Sequence, residues 1–293
     1  KHYLYMNANR YFSFSRLGLV MKRDFMENWK TNLYRFLGPY TAILIVMILG
    51  YLKGGSFSEF SEMVFTVFAA VLFIGSAISA SRIMEVMNAQ QNRISLLMLP
   101  ATSLEKFVTR ALYVTVGFVL ILILALLLAE VTRFLFIPLF SLPDTFQQSV
   151  LPFVWNEITD MKTLTFTGEG AAESYQIAYL TKVLGWLFFS WGHSFFILGG
   201  CYWYKNAFWK TLGLIILVNF FFIFVSVNLV ESLDESVMEE IVLWCEANFS
   251  WVTVTGILSF AIVMFMLLIL LNWWLSYRCF IRSQVIKPKF RLL

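Results

Sequence analysis

The chain has 293 residues, of which 59% are hydrophobic and only 14% charged, with a mean hydropathy of +0.74 and a net charge of +4. Soluble domains run near half apolar and about a quarter charged. Composition therefore excludes an ordinary soluble fold and points to an all-α, polytopic membrane domain with short loops.

Residues 1–33 form a polar, basic arm without the pattern of a cleavable signal peptide. Met6 offers a native start, with Lys1 to Tyr5 as an upstream extension. Within the arm, Phe14, Leu17, Met21, Phe25 and Trp29 recur at steps of three or four, while Arg16, Arg23, Glu27 and Lys30 fall on another face. That pattern predicts an amphipathic helix lying in the membrane interface; the plainer alternative is a basic flank that only fixes topology.

A helix crosses the ~30 Å hydrocarbon layer with about 20 apolar residues. Six stretches within 34–275 meet this length: about 34–52, 63–81, 111–129, 178–202, 211–230 and 251–275. The short apolar piece after Glu130, with Pro138 and Pro143, predicts a broken or interfacial turn. Residues 276–293 form a basic tail.

Between the second and third spans, Arg82 to Asn92 reads as a helical extension of span two, followed by the apolar patch Ile94 to Leu99 and Pro100. Thr102-Ser-Leu-Glu105 fits a capping box, so a helix is expected from Ser103 into span three. Such an apolar loop packs on its own bundle or offers a docking surface. In span two, Gly75, Ser76, Ser79 and Ala80 give small-residue spacing for close helix contact, within the bundle or across a dimer seam. A long loop over 130–177, with three prolines and a Gly168-Glu-Gly170 turn, predicts a small ordered cap. The acidic segment Glu231 to Glu246 predicts a short amphipathic helix, read as a solvated face ahead of a cation site.

Charge sets the orientation. Of the 22 Lys and Arg, 18 fall in the arm together with Arg35 at the start of span one, the second-to-third loop, the fourth-to-fifth loop and the tail. The positive-inside rule then puts both termini in the cytoplasm. No P-loop, HExxH or metal-spaced Cys/His cluster occurs, and Cys201, Cys245 and Cys279 lie far apart. Intramembrane carboxylates are absent from the six predicted span cores, which argues against an ion-coupled carrier or an acid–base enzyme. No basic and aromatic patch suggests nucleic acid. Among the polar residues within the spans, His193, Asn219 and Asn272 are the candidates for a role. Each either bonds a neighbouring helix or lines a path or gate.

The layout resembles the permease subunit of ABC-2 type exporters, and two stretches resemble Bacteroidetes-type members in wording. They are Phe14-Ser-Arg-Leu-Gly-Leu-Val-Met-Lys-Arg-Asp-Phe25 with Asn28-Trp-Lys30, and Leu97-Met-Leu-Pro-Ala-Thr-Ser-Leu-Glu-Lys-Phe107 with Arg110. The resemblance implies a connecting helix at Phe14 to Lys30 and a coupling region containing Arg93, Leu96, Leu97, Leu99, Thr102 and Glu105. It also implies an ABC ATPase on a separate chain that binds ATP and Mg, a second permease subunit in a homo- or heterodimer, and a bacterial inner-membrane location. The chain itself would be no enzyme. Its expected function is alternating-access export of an amphiphile; the alternative is an ATP-independent assembly or sensor subunit. The long 130–177 loop departs from the family pattern, in which the larger outer insertion often follows span five.

Overall fold

The computed structural model describes residues 12–88, 90–140, 147–159, 171–203, 205–232 and 254–282, with single positions 237, 240, 243 and 244. The described chain is 90% helical and contains no strand. Six helices are long and apolar enough to cross a membrane, so the protein is a multi-pass all-α membrane protein.

Helix α1 (Phe14–Glu27) leads into α2 (Trp29–Lys53) through a break at Asn28. There the Asn28 backbone N–H and side-chain amide both donate to the Asp24 carbonyl, at 3.2 and 2.8 Å, which closes the end of α1. Helix α3 (Phe57–Ser81) starts at the cap residue Ser56, whose Oγ accepts from the Glu59 N–H. A 3₁₀ turn (Glu85–Met87) and the short α4 (Gln90–Leu97) follow. Helices α5 (Ser103–Val114) and α6 (Val116–Phe140) form one rod with an irregular residue at Thr115. The rest is α7 (Leu151–Thr159), α8 (Ala171–Tyr202), α9 (Ala207–Ser232) and α10 (Val254–Ile281).

The six spans match the expected stretches, with ends extended by a few residues, and three local expectations change. The chain does not continue helically from span two: α3 stops at Ser81 and the backbone turns. Arg93, buried, donates from Nε and Nη2 to the Met87 carbonyl at 3.1 and 2.8 Å, which fixes the turn. Glu130 does not begin a loop, because α6 carries it in helix to Phe140. Its charge is matched by Arg133 one turn on, at 2.8 Å. Pro138 likewise stays in helix. It lies in the last turn of α6, where a missing N–H costs one terminal bond. Pro143, Gly168 to Gly170, Cys245, Trp251, the tail from 283 and most of the Glu231 to Glu246 segment lie outside the described residues.

Two buried cores form. One, at the α1 end, gathers Ile83, Met84 and Met87 with Phe107 and Val114 of α5, Ile197 of α8 and Phe280 of α10. The other, at the α7 end, joins Ile43 of α2 and Phe60 of α3 to Leu122 and Leu126 of α6 and to Val150 and Val154. The small-residue face of α3 is spent within the chain. Ser79 Oγ donates to the Val114 carbonyl at 3.0 Å, and Gly75 leaves room for the Phe118 ring. On α8, a Cβ at Gly200 would stand 2.7 Å from the Ser81 carbonyl oxygen, so glycine permits that close approach. Helix α9 exposes Phe220, Phe221, Phe222, Ile223 and Phe224 on successive sides. Such an all-round apolar surface suits hydrocarbon and not water.

Candidate functional site

The expected coupling and interfacial residues meet at the α1 end. Helix α1 lies against α5 and is held there by two acidic side chains. Glu105 is fully buried. One of its oxygens accepts from the Ser13 N–H at 2.6 Å and from Arg16 Nη2 at 2.9 Å; the other accepts from the Thr102 N–H at 2.8 Å. The capping box expected from the sequence is therefore present, with Thr102 Oγ1 accepting from the Glu105 N–H. The same carboxylate that closes it also seizes the start of α1, 92 residues earlier.

The second tie is Asp24 with Arg110 at 2.9 Å, both buried. Burial pushes the Asp24 carboxyl above its usual range, and the nearby Arg110 guanidinium opposes that shift. Asp24 Oδ2 and Arg110 Nε have no hydrogen-bond partner. They border a cavity of about 250 Å³ that also touches Lys106, Thr109, Asn92 and Ser95. A third, more exposed tie runs from Arg23 to Glu27 at 2.6 Å and on to Ser95 Oγ of α4.

The helix expected over this stretch is present as α1, but its faces divide more finely than the periodicity suggests. Leu17 and Val20 are buried with Asp24 against the protein. Phe14, Met21, Phe25 and Trp29 project outward, with Phe14 81% exposed. Arg23 belongs to the polar side that reaches α4. The docked row Leu17, Val20, Asp24 has helical spacing, and an acid within such a row was the available signal for a buried cation.

The coupling residues separate into two groups. Arg93, Leu96 and Glu105 are buried, and Leu99 packs half-buried on the core. Thr102 caps α5, and Leu97 closes α4. These residues build the bracket. Its outer surface is made by Ile94, Leu104 and above all Met98, which is 79% exposed. The sequence marks Ile94 to Leu99 as apolar, but only the turn after α4 shows which members face outward.

His193, Asn219 and Asn272 are not brought together. Asn272 of α10 donates to Ser194 Oγ of α8 at 3.0 Å, binding those helices. His193 lies beside Ser194, and neither of its ring nitrogens has a hydrogen-bond partner. Asn219 donates to the Ile215 carbonyl of its own helix at 2.8 Å, on an exposed face. Among the described residues no group of His, Cys, Asp and Glu is placed to hold a metal ion. No family model, curated protein or solved structure matches the chain.

Proposed function

We propose that this chain is the membrane subunit of an ATP-driven exporter of the ABC-2 type, with ATP and Mg bound by a separate ATPase chain. The observation that carries the reading is the α4–α5 bracket. Its buried half is tied to α1 and to the spans by Glu105, Asp24 and Arg93. Its exposed half presents Ile94, Met98 and Leu104, which no described residue covers. A helix-built ledge of this kind can receive a protein partner and pass its motion to α1 and α5 as rigid-body tilting. The excess of Lys and Arg at this end supports a cytoplasmic side for it and for both termini, where ATP is available; on this reading the membrane is a bacterial inner membrane. Two such subunits with two ATPases would alternate access at their seam, and the apolar span surfaces would suit an amphiphilic cargo.

Co-purification after co-expression with candidate ABC ATPases of the same organism tests this. The expected result is a stable complex that Met98→Asp weakens at least about tenfold, since a central interface anchor carries about 2 kcal/mol or more. Failure of any ATPase to co-purify, together with no ATP-dependent transport in vesicles, would overturn the reading in favour of an ATP-independent assembly or sensor subunit.

A further inference from the structure

A cleft of about 630 Å³ opens between α2 and α3 at the α1 end, and it is unrelated to the bracket surface. Its walls are apolar, with Gly38 and Pro39 on α2, Val71, Ile74 and Ile78 on α3, and Phe118 of α6 across the floor. Pro39 cannot donate to the carbonyl one turn before it and crowds that turn, which favours a bend that opens the helix pair. Gly38 has open space where a side chain would stand, and Gly75 lets the Phe118 ring retreat.

Chemistry changes at one mouth of the cleft, where Arg35, Arg82 and Glu85 gather. Arg35 is held in place by the Tyr113 ring at 5.1 Å and by Glu85 at 3.8 Å. Arg82 is exposed and forms no ion pair among the described residues. Two cations against one carboxylate leave the mouth with a positive charge to spare.

Dimensions identify the class of guest. From Arg82 to Val71 the helix rises about 16 Å, at 1.5 Å per residue. That is about half of the ~30 Å hydrocarbon layer. The cleft therefore reaches from a cationic rim to mid-membrane, the depth of one lipid leaflet. Its volume lies within the roughly 300–1,000 Å³ typical of small-ligand sites. The exposed Phe14, Met21 and Phe25 of α1 mark the interface at the same end. We propose that this cleft is a binding site for one anionic phospholipid, its phosphate at Arg82 and Arg35 and an acyl chain between Gly38, Ile74 and Phe118. The proposal stands whether or not the chain is an exporter subunit.

Native mass spectrometry of the full chain in detergent, with phosphatidylglycerol and phosphatidylcholine of identical acyl chains, tests it. Phosphatidylglycerol adducts should predominate. Arg82→Gln should cut that preference about fivefold, the effect of one basic residue on an anionic lipid. The exposed control Lys205→Gln should not. Gly38→Leu, which fills the cleft while improving helix propensity, should lower binding of both lipids without lowering thermal stability. Free glycerol phosphate should not displace the lipid. The proposal is overturned if the two lipids bind equally, if Lys205→Gln acts like Arg82→Gln, if Gly38→Leu leaves binding unchanged, or if glycerol phosphate alone competes.

Discussion

Glu105 near one end of the α5–α6 rod and Glu130 near the other are both sealed from solvent, and each accepts a backbone N–H from another segment together with a guanidinium. The 25-residue separation corresponds to about 37 Å of helix. That exceeds the ~30 Å hydrocarbon layer, so the two carboxylates bracket it and neither needs to sit at its centre. Their cations differ. Arg133 comes from the same helix, is buried, donates to both Glu130 oxygens and to the Gln148 carbonyl, and lies 5.6 Å from the Phe60 ring. Arg16 comes from α1, and its side chain is 21% exposed. The α7 end is thus clamped by a preformed local pair. The α1 end is latched by contacts between elements far apart in sequence, where water and a partner can reach one member. A latch of that kind can transmit motion; a clamp resists it.

The largest expected effects come from breaking each carboxylate in turn. Glu105→Ala should cost about 2–4 kcal/mol, since it removes the α5 capping box and leaves the Ser13 and Thr102 N–H groups and Arg16 without their acceptor. It should release α1, read in detergent as new proteolysis between residues 13 and 27 or as labelling of a cysteine introduced at the buried position Val20, while α2 to α10 hold together; each readout is repeated with a cysteine introduced at Val154. Unchanged protection of α1 would show that Leu17 and Val20 suffice and that Glu105 is no latch. Arg133→Met should cost about as much, because Glu130 is then buried without its cation. Its labelling should appear around Gln148 to Val154, with α1 unaffected. Labelling that spread to α1 would erase the contrast between the two ends.

What was legible in the sequence follows from the range of each interaction. The spans are visible because about 20 consecutive apolar residues need no partner to be recognised. Thr102 and Glu105 are visible because a capping box closes within three residues. That Glu105 also holds Ser13 and Arg16 cannot be read locally, since 89 to 92 residues intervene. The apolar periodicity of α1 finds a helix but averages over two adjoining faces. It cannot separate docked Leu17 from exposed Phe14. Glu130 reads as loop because its charge counts against the span, although Arg133 at i+3 with apolar neighbours is the signature of a paired charge in helix. Arg82 to Asn92 reads as helix because it contains no strong breaker; the bond from Arg93 back to the Met87 carbonyl, which holds the segment after the turn, has no signature in the local pattern.

Smaller effects refine the contrast. Gly200→Ala should cost about 1–3 kcal/mol, because the added methyl meets the backbone carbonyl of Ser81 where no rotamer can relieve it. The loss should show as a lower unfolding midpoint in a detergent titration, and a neutral result would mean that α8 can slide away from α3. Arg16→Met should cost about 1–2 kcal/mol, less than Arg133→Met, since Glu105 loses its cation but keeps two backbone donors. If Arg16→Met proved as damaging as Arg133→Met, the α1 end would be as tightly clamped as the other.

The smallest effect is a dependence on pH confined to the α1 end. Burial raises Asp24 above its ordinary value of 3.8, against the pull of Arg110. A carboxyl whose folded value is raised binds its proton more tightly in the folded state. Its contribution to stability is therefore fully present below 3.8 and is lost as pH rises through the folded value, at no more than about 1.4 kcal/mol per pH unit. Above the folded value the contribution is flat, because Asp24 is ionised in both states. Asp24→Asn, isosteric with the neutral acid, should match the wild-type chain at low pH and should remove this downward slope. Unfolding midpoints of both proteins across mildly acidic pH measure the difference directly. A slope of equal size in Asp24→Asn would place the titrating group elsewhere and leave the latch insensitive to protons.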